Sequence, residues 1–347
     1  MECRRRSNFT ECQVIEDNPK VSIVTPTLNS AGYLGDLLAA VDRQSYTNIE
    51  HVIVDGESTD GTVDMIRRYA EDHNVNWVSE PDKNNADATT KGLKMATGDI
   101  VIIVPSDDLI FPWSVSTAVG YFRTHPDVDI VHGDSISWDM SSGAWSLRLH
   151  KRFSYGYLAR TQILTPQATY IKRCVLKGEE ELDPSLPHAC DYDQILRITR
   201  DRNVVNIPEF LAIFRKRVGA VNMREGAGDE ILEEVRIVRS RYIRTSGPLN
   251  YLFTRWDRAY GAIHRRLQIF RILRYSQKSD AEDFRLDQSG PWCNFLASYT
   301  VSGKSARGLL TTLLPGRRQY GLDVWSRPEA KDLGVTERRK PEDSVKG

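Results

Sequence analysis

The sequence lacks any hydrophobic run long enough to cross a lipid bilayer, which takes about 20 consecutive apolar residues. Its longest uncharged stretches, residues 109–122 and 288–303, are shorter than that and contain proline or glycine. The basic N-terminus, with Arg4 to Arg6, is followed by polar residues instead of the apolar segment of a secretory signal. We therefore expect a cytoplasmic protein that contacts a membrane, if at all, peripherally at its inner face.

Cysteine and net charge are also scarce. The five cysteines lie far apart with no C-x-x-C spacing, which argues against a zinc site and against a disulfide framework and favours a reducing compartment. The 47 lysines and arginines balance 47 aspartates and glutamates. Because no global field then favours a polyanion, we expect no nucleic-acid partner.

What the sequence does have is a strongly patterned α/β region. The 347 residues, 40% of them hydrophobic, can hold one large α/β domain with an appendage. We predict a flexible leader over residues 1–19, the α/β domain over 20–226, a helical region over 227–315 and a charged tail over 316–347. Apolar runs alternate with helical periodicity from residue 21 onward, which is typical of parallel strands joined by helices. Serine and glycine turns within residues 134–153 predict an antiparallel hairpin.

The domain is organised around residues 98–108. A run of β-branched residues there predicts a strand buried on both faces, and Asp107 and Asp108 follow directly at its end. Open α/β sheets bind ligands beyond the carboxyl ends of their strands. The two aspartates are therefore candidate ligand or cation contacts, although a polar turn or a helix cap would also account for them.

Other acidic or glycine-rich motifs follow further strands in the same order along the chain. Together with the central stretch they resemble an inverting nucleotide-sugar glycosyltransferase of family 2 over roughly residues 20–215. The motifs are Val21-Ser-Ile-Val-Thr-Pro-Thr-Leu-Asn29, Val52-Ile-Val-Asp-Gly-Glu-Ser-Thr-Asp-Gly-Thr62, Glu80-Pro-Asp-Lys83, Asp87-Ala88, Lys91-Gly92, Ala96-Thr-Gly-Asp99, Ser106-Asp-Asp108, Thr165-Pro-Gln-Ala168 and Asp191-Tyr-Asp-Gln-Ile-Leu-Arg197. The resemblance implies the GT-A fold, a Rossmann-like, mixed but mostly parallel sheet flanked by helices, here with a C-terminal helical extension.

The resemblance also implies roles for individual residues. Asp191 would be the catalytic base, and Asp108 would hold a divalent cation, Mn²⁺ or Mg²⁺. Asp55 would accept the N3–H of a uracil. The remaining predicted contacts to the nucleotide-sugar are Thr25, Pro26, Asn29, Asp82, Asp87, Lys91, Ser106 and Asp107.

Structural roles compete with several of these assignments. Asp55 is also a common turn residue, Asp191 a common helix cap and Lys91 a common solvated lysine. Asp60 and Thr62 we interpret as loop-stabilising residues. Three positions depart from the family pattern. Asn84 and Thr90 stand where relatives tend to carry glycine and asparagine. Glu57 adds a negative charge that either faces the pocket predicted for the anionic donor or points away from it.

The helical region contains a basic, aromatic amphipathic pattern within residues 249–276. Such a helix packs on its own domain, lies on an anionic membrane surface, or forms a homo-oligomer contact.

The resulting hypothesis is a metal-assisted, inverting transferase that moves a sugar from a UDP-sugar donor to a hydroxyl of a glycan or lipid-linked acceptor, in polysaccharide or glycolipid assembly. A nucleotidyltransferase is one alternative, but residues 25–31 lack the glycine and lysine of a triphosphate loop. A catalytically silent nucleotide-sugar binding or scaffold protein is the other.

Overall fold

The structure, a computed structural model, describes residues 12, 15–141, 144–148, 153–160, 164–217 and 227–243, and of residues 144–147 and 227 it gives the backbone only. The predicted helix within residues 249–276 and the tail 316–347 lie outside these ranges. Within them, no helix is both long and apolar enough to span a membrane.

Strands and helices alternate through the first half of the chain, as the hydrophobic periodicity predicts. The elements up to the central strand are β1 (Val21–Thr27), α1 (Leu34–Asp42), β2 (Ile49–Asp55), α2 (Thr62–Asp72), β3 (Val75–Ser79), α3 (Asn85–Met95) and β4 (Ile100–Ile103). The later elements are β5 (Leu109–Ile110), α4 (Ser114–Thr124), β6 (Ile130–Asp139), β7 (Ala144–Arg148), α5 (Tyr155–Leu158), a 3₁₀ turn (Pro166–Ala168), β8 (Thr169–Lys172), α6 (Arg173–Leu176), α7 (Cys190–Thr199), β9 (Val204–Lys216) and α8 (Ala227–Tyr242).

The strands form one mixed sheet in the order β3-β2-β1-β4-β8-β6-β9-β5, with β7 paired to β6. Strands β3, β2, β1 and β4 are parallel to one another, and β6 and β9 run in the same direction, while β5, β7 and β8 run the opposite way. The predicted antiparallel hairpin is therefore confirmed as the β6–β7 pair.

The central strand is buried on both faces, as its composition predicts. Because side chains alternate across a strand, Ile100 and Ile102 pack into a cluster that contains α1 and α4, whereas Val101 and Ile103 pack into a second cluster that contains α3 and α7. The sheet is thus covered by helices on both faces. The carboxyl ends of its parallel strands remain open, and we call them the open edge of the sheet.

The structure differs from the sequence prediction at several points. The helical spacing that starts near Ala31 predicts Asn29 or Ser30 as the N-cap of the first helix, but α1 begins at Leu34 and its N-cap is Tyr33. The apolar runs 204–207 and 210–214 predict two strands on either side of Pro208. The structure has a single strand there, β9, whose pairing to β6 shifts in register between His132 and Asp134. Proline donates no ladder hydrogen bond, and this irregularity in the pairing accommodates it. The short elements β5, α5 and α6 carry too few residues to show a periodicity.

A disulfide joins Cys12 to Cys174, contrary to the expectation from cysteine spacing. The pairing brings together positions 162 residues apart, a separation at which sequence spacing carries no signal. The end of the predicted leader also contacts the domain, since the Tyr46 hydroxyl donates to Asn18 Oδ1 at 2.9 Å and to the Pro19 carbonyl at 2.5 Å. Residues 15–19 therefore lie against the sheet domain.

Candidate active site

Asp55, the last residue of β2, lies fully buried at the open edge of the sheet. Its Oδ2 accepts the Ser58 backbone N–H at 2.9 Å and the Ser79 hydroxyl at 2.7 Å, and its Oδ1 accepts the Ser58 hydroxyl at 2.5 Å. A carboxylate offers about four acceptor positions, so three protein donors leave room for one more. The contacts with Ser58 show the turn role that the sequence allows for Asp55, and acceptance of a uracil N3–H remains a prediction.

The loops after β1 and β2 are joined by Asn29. Its Oδ1 accepts the Thr59 N–H at 2.9 Å, and its own N–H donates to Ser58 Oγ at 2.7 Å. Asn29 has a φ of 47°, a left-handed conformation that asparagine adopts more readily than most residues. The exposed side chain of Glu57, in the same loop, lies in solvent, so its charge does not enter a buried pocket.

Asp60 and Thr62 have the loop-stabilising role that the sequence predicts. Asp60 Oδ1 accepts the Thr62 N–H at 3.1 Å and its hydroxyl at 2.5 Å, while Oδ2 accepts the Ala31 N–H at 3.0 Å. Partial burial alone would raise the pKa of Asp60, but these hydrogen bonds outweigh it and the pKa lies below the ordinary value.

A second acidic group follows β3. Asp82 approaches Gly56 so closely that a Cβ on Gly56 would lie 2.3 Å from Asp82 Oδ2. Partial burial raises the pKa of Asp82; the Lys91 charge opposes this shift, and the charges of Asp87 and Asp55 add to it. Asp82 and Asp55 are therefore close enough to interact.

Lys91 is engaged within this group. Its Nζ donates to the Pro81 carbonyl at 2.7 Å and lies 2.9 Å from Glu80 Oε1 and 3.6 Å from Asp87 Oδ2. Asp87 Oδ2 in turn accepts the Lys83 N–H at 3.2 Å. Lys91 thus stabilises the loop that carries Asp82, and its contact with the nucleotide-sugar remains a prediction.

Asp107 and Asp108 follow β4 and contact two arginines at the end of β9. Asp108 is buried, and its Oδ1 accepts the backbone N–H of Arg215 at 2.8 Å. Asp107 Oδ2 lies 2.8 Å from Nε of Arg217. The Arg215 guanidinium donates to the Asp107 carbonyl, to the Tyr33 carbonyl at 3.1 Å and to Asp36 Oδ2 at 2.5 Å.

Burial raises the pKa of Asp108 well above its ordinary value, and the adjacent Asp107 charge raises it further, against smaller opposing effects of Arg215 and Arg148. A nearby cation would stabilise the ionised form of such a carboxyl group. One hard oxygen donor fits Mn²⁺ or Mg²⁺, which take their other ligands from substrate phosphates and water. Among the described residues no group of three or more histidine, cysteine or acidic side chains is arranged to hold a metal without such help.

The other predicted nucleotide contacts have internal partners. Thr25 Oγ1 lies 2.9 Å from Nε2 of His51, and Ser106 donates to the Ser30 hydroxyl at 2.9 Å. Both side chains are buried, as is Pro26 in β1. These residues shape the wall of the edge, and their contact with a nucleotide remains a prediction.

Asp191 lies in the first turn of α7, partly exposed, with Oδ1 accepting the Tyr192 N–H at 2.7 Å. The N-cap of this helix is Ala189, whose side chain makes no cap hydrogen bond, so Asp191 is not the cap residue. The loop before α7 reaches the acidic edge, because Asn84, at the start of α3, donates to the Pro184 carbonyl at 2.9 Å.

Sequence reasoning missed the arginines that face the acidic pair. The available signal was the Arg215-Lys216-Arg217 triplet at the end of an apolar strand, where alternate residues share a face.

Comparison with known proteins identifies the type of domain. Residues 22–176 match a family model described as Glycosyl transferase family 2, which confirms the resemblance seen in the motifs. A PGL/p-HBAD biosynthesis glycosyltransferase of Mycobacterium bovis is 33% identical over 121 residues, 34% of this chain and 47% of that protein. The chain spans about half the length of the curated relatives it matches.

Two solved structures share the fold. The mannosyltransferase PcManGT from Pyrobaculum calidifontis, in complex with GDP-Man and Mn²⁺, has a TM-score of 0.53 at 18% identity. The matched region covers 94% of this chain and 86% of the PcManGT chain. S. aureus TarS 1–349, in complex with UDP, has a TM-score of 0.51 at 18% identity, and the matched region covers 67% of this chain and 68% of the TarS chain. The chain therefore has the GT-A fold.

Proposed function

From the glycosyl transferase family 2 domain at residues 22–176, we propose that this protein transfers a sugar from a UDP-sugar to an acceptor hydroxyl with inversion at the anomeric carbon. The observation that carries the proposal is the edge formed by β2, β1 and β4. Asp55 ends β2 and Asp107-Asp108 follow β4, so these carboxylates flank the loop after β1 on one side of the sheet.

The contacts at this edge support donor binding there. Asp55 is held rigid by three hydrogen bonds and keeps acceptor capacity for the N3–H of uracil. Uridine is proposed because Asp55 matches the family position that accepts the N3–H of a uracil.

In the transfer step, Asp191 accepts the proton of the acceptor hydroxyl while the acceptor oxygen forms its bond to the anomeric carbon. The bond between that carbon and the diphosphate oxygen breaks, and UDP leaves with the bonding electrons. Asp108 would hold Mn²⁺ or Mg²⁺, which when bound neutralises charge on the departing diphosphate. The acceptor is proposed to be a glycan or a lipid-linked saccharide, reached at a membrane surface through the region after α8.

The experiment is calorimetry of the full chain with UDP, with and without Mn²⁺, followed by UDP release from a panel of UDP-glucose, UDP-galactose, UDP-N-acetylglucosamine, UDP-glucuronic acid and GDP-mannose. Release of UDP from at least one donor supports the proposal. Metal-dependent UDP binding without turnover of any donor favours a nucleotide-sugar binding protein instead. Turnover of GDP-mannose alone would overturn the assignment of uridine.

A further inference from the structure

Helix α8 packs against the helix that carries Asp191, beyond the residues that match the family model. Its residue Val238 is fully buried in the same cluster as Cys190, Tyr192 and Leu196 of α7. On the same face of α8, the side chain of Glu234 is buried as well. A buried carboxylate is costly unless hydrogen bonds satisfy it, so its partners are informative.

The partners of Glu234 are two backbone amides at the start of α7. Its Oε2 accepts the N–H of His188 and the N–H of Ala189, both at 2.8 Å. Ala189, the N-cap residue of α7, has no side-chain oxygen to offer its own helix. A carboxylate from a different helix, 45 residues further along the chain, therefore binds the amides at this helix start.

Further contacts from α8 hold both flanks of the same turn. Glu230 Oε2 lies 3.1 Å from Nε2 of His188. On the other flank, Arg241 contacts Asp193 and Asp183, each at 2.9 Å. The first turn of α7 is thus enclosed by charged and hydrogen-bonded contacts from α8.

The loop leading to this turn is tied to α3 as well. Thr90 Oγ1 accepts the Leu182 N–H at 3.0 Å, and Asn84 donates to the Pro184 carbonyl. Residues 182–189 therefore run between α3, on the proposed donor side, and α8. Their position sets where Asp191 lies relative to the donor.

We propose that Glu234 is a positioning residue that fixes Asp191 for proton transfer by binding the amides of His188 and Ala189. The inference rests on the proposed function, in which Asp191 is the base. A misplacement of about 1 Å in a reacting group lowers rates by about 100-fold. Glu234 acts only through the backbone of α7, so its loss affects turnover and leaves donor binding intact.

The test compares four variants of the full chain with the wild type: Glu234→Ala, Glu234→Gln, Glu233→Ala and Asp191→Asn. The reaction is hydrolysis of whichever UDP-sugar in the panel releases UDP fastest, with water in place of the acceptor and Asp191 taking its proton. Calorimetry with UDP and Mn²⁺ measures binding, and thermal denaturation measures folding. Glu233 is the matched control because it is exposed on the same helix and its ion pair is with Arg236, three residues further along α8, at 3.1 Å.

We expect Glu234→Ala to lower kcat by about 10- to 100-fold, with donor KM and UDP affinity within about twofold of wild type. Glu234→Gln keeps an acceptor oxygen for both amides and should recover part of the rate, while Glu233→Ala should match the wild type. If Glu234→Ala does not fold, the partial kcat defect of Glu234→Gln at unchanged UDP affinity carries the test.

Wild-type kcat in the folded Glu234 variants, with Asp191→Asn inactive, would overturn the positioning role and leave the proposed function standing. A parallel loss of UDP affinity and kcat would also overturn it, because the residue would then support the whole domain. Full activity in Asp191→Asn would overturn both proposals.

Discussion

The backbone N–H of Arg215 donates to Oδ1 of Asp108 at 2.8 Å, across 107 positions of sequence. This bond fixes the acidic turn after β4 to the end of β9, while the Arg215 guanidinium reaches Asp36 at the start of α1. One buried arginine therefore joins the elements that form the candidate donor site.

Arg215→Lys should destabilise the protein. Lysine retains the charge but cannot donate to Asp36, Tyr33 and Asp107 together, because its ammonium is a point charge and not a planar fork. We expect the free energy of unfolding to fall by about 3 kcal/mol, as for other broken buried ion pairs. Urea denaturation measures this loss. The control Arg217→Lys, at a partly exposed pair, should cost less than about 1 kcal/mol, and equal losses would contradict the central role of Arg215.

Asp108→Ala should remove the effect of metal on nucleotide binding. In the wild type, Mn²⁺ is expected to strengthen UDP binding by about tenfold or more, which corresponds to about 1.4 kcal/mol. The variant should bind UDP equally with and without Mn²⁺ and should not transfer sugar. Calorimetry checks both states, and Asp64→Ala, at an exposed position of α2, serves as the control. A persistent Mn²⁺ effect in Asp108→Ala would assign the cation to other residues.

Asp55→Asn should abolish discrimination between bases. Uracil presents an N3–H donor to the Asp55 carboxylate, whereas N3 of cytosine is an acceptor and would be repelled. The wild type should therefore prefer UDP to CDP by about tenfold or more. Asparagine offers both a donor and an acceptor, so the preference should shrink to near unity. Competition calorimetry gives the ratio, and an unchanged ratio would mean that Asp55 only stabilises its turn.

Gly56→Ala should displace Asp82, because the added Cβ would lie 2.3 Å from Asp82 Oδ2. We expect UDP-sugar affinity to fall by about three- to tenfold, roughly 1 kcal/mol. Gly120→Ala is the control, since no atom lies within 4 Å of its new Cβ and alanine favours the helix. The double variant Gly56→Ala with Asp82→Ala removes the clash. If it loses as much UDP-sugar affinity as Asp82→Ala alone, displacement of Asp82 is supported as the cause.

Stability should fall as the pH is lowered through the titration range of His51. Burial lowers the pKa of His51 to about 3, with a smaller contribution from His73, so the folded protein holds it neutral. The unfolded chain protonates near pH 6.5, so stability is fully present above that pH and is lost progressively towards about pH 3. The slope from this group is about 1 kcal/mol per pH unit. Thermal denaturation from pH 7 to 5 should show a steeper fall for wild type than for His51→Phe.

The sheet edge and most of its acidic residues were predictable, because local patterns carry them. The run Ile100–Ile103 and the Asp107-Asp108 pair that follows it indicate a buried strand with a polar end. The family motifs indicate the succession of strands along the chain. Thr90 and Asn84 show the limit of such patterns. Because both residues differ from those of the family, the sequence did not predict their contacts. In the structure Thr90 contacts Leu182 and Asn84 contacts Pro184.

The partners that come from distant parts of the chain were not predictable. Glu234 belongs to an ordinary amphipathic helix, and nothing in its neighbourhood indicates that it binds amides of another helix. The Cys12–Cys174 pairing and the contact of Arg215 with Asp108 likewise join positions more than 100 residues apart. Single-sequence periodicity reports which face is buried and gives no information on what covers it.

The order of the strands has a geometric consequence for the acidic turn. Only residues 104–108 separate β4 from β5, yet β8, β6 and β9 lie between these two strands in the sheet. Four steps of about 4.8 Å across a flat sheet would need a span of about 19 Å, close to full extension for so short a segment, and the turn from Pro105 to Asp108 shortens it. The sheet must therefore curl, so that β5 at its far end comes back towards β4. Adding two or three residues to the segment between β4 and β5 would relax this curvature and move Asp108 away from Arg215.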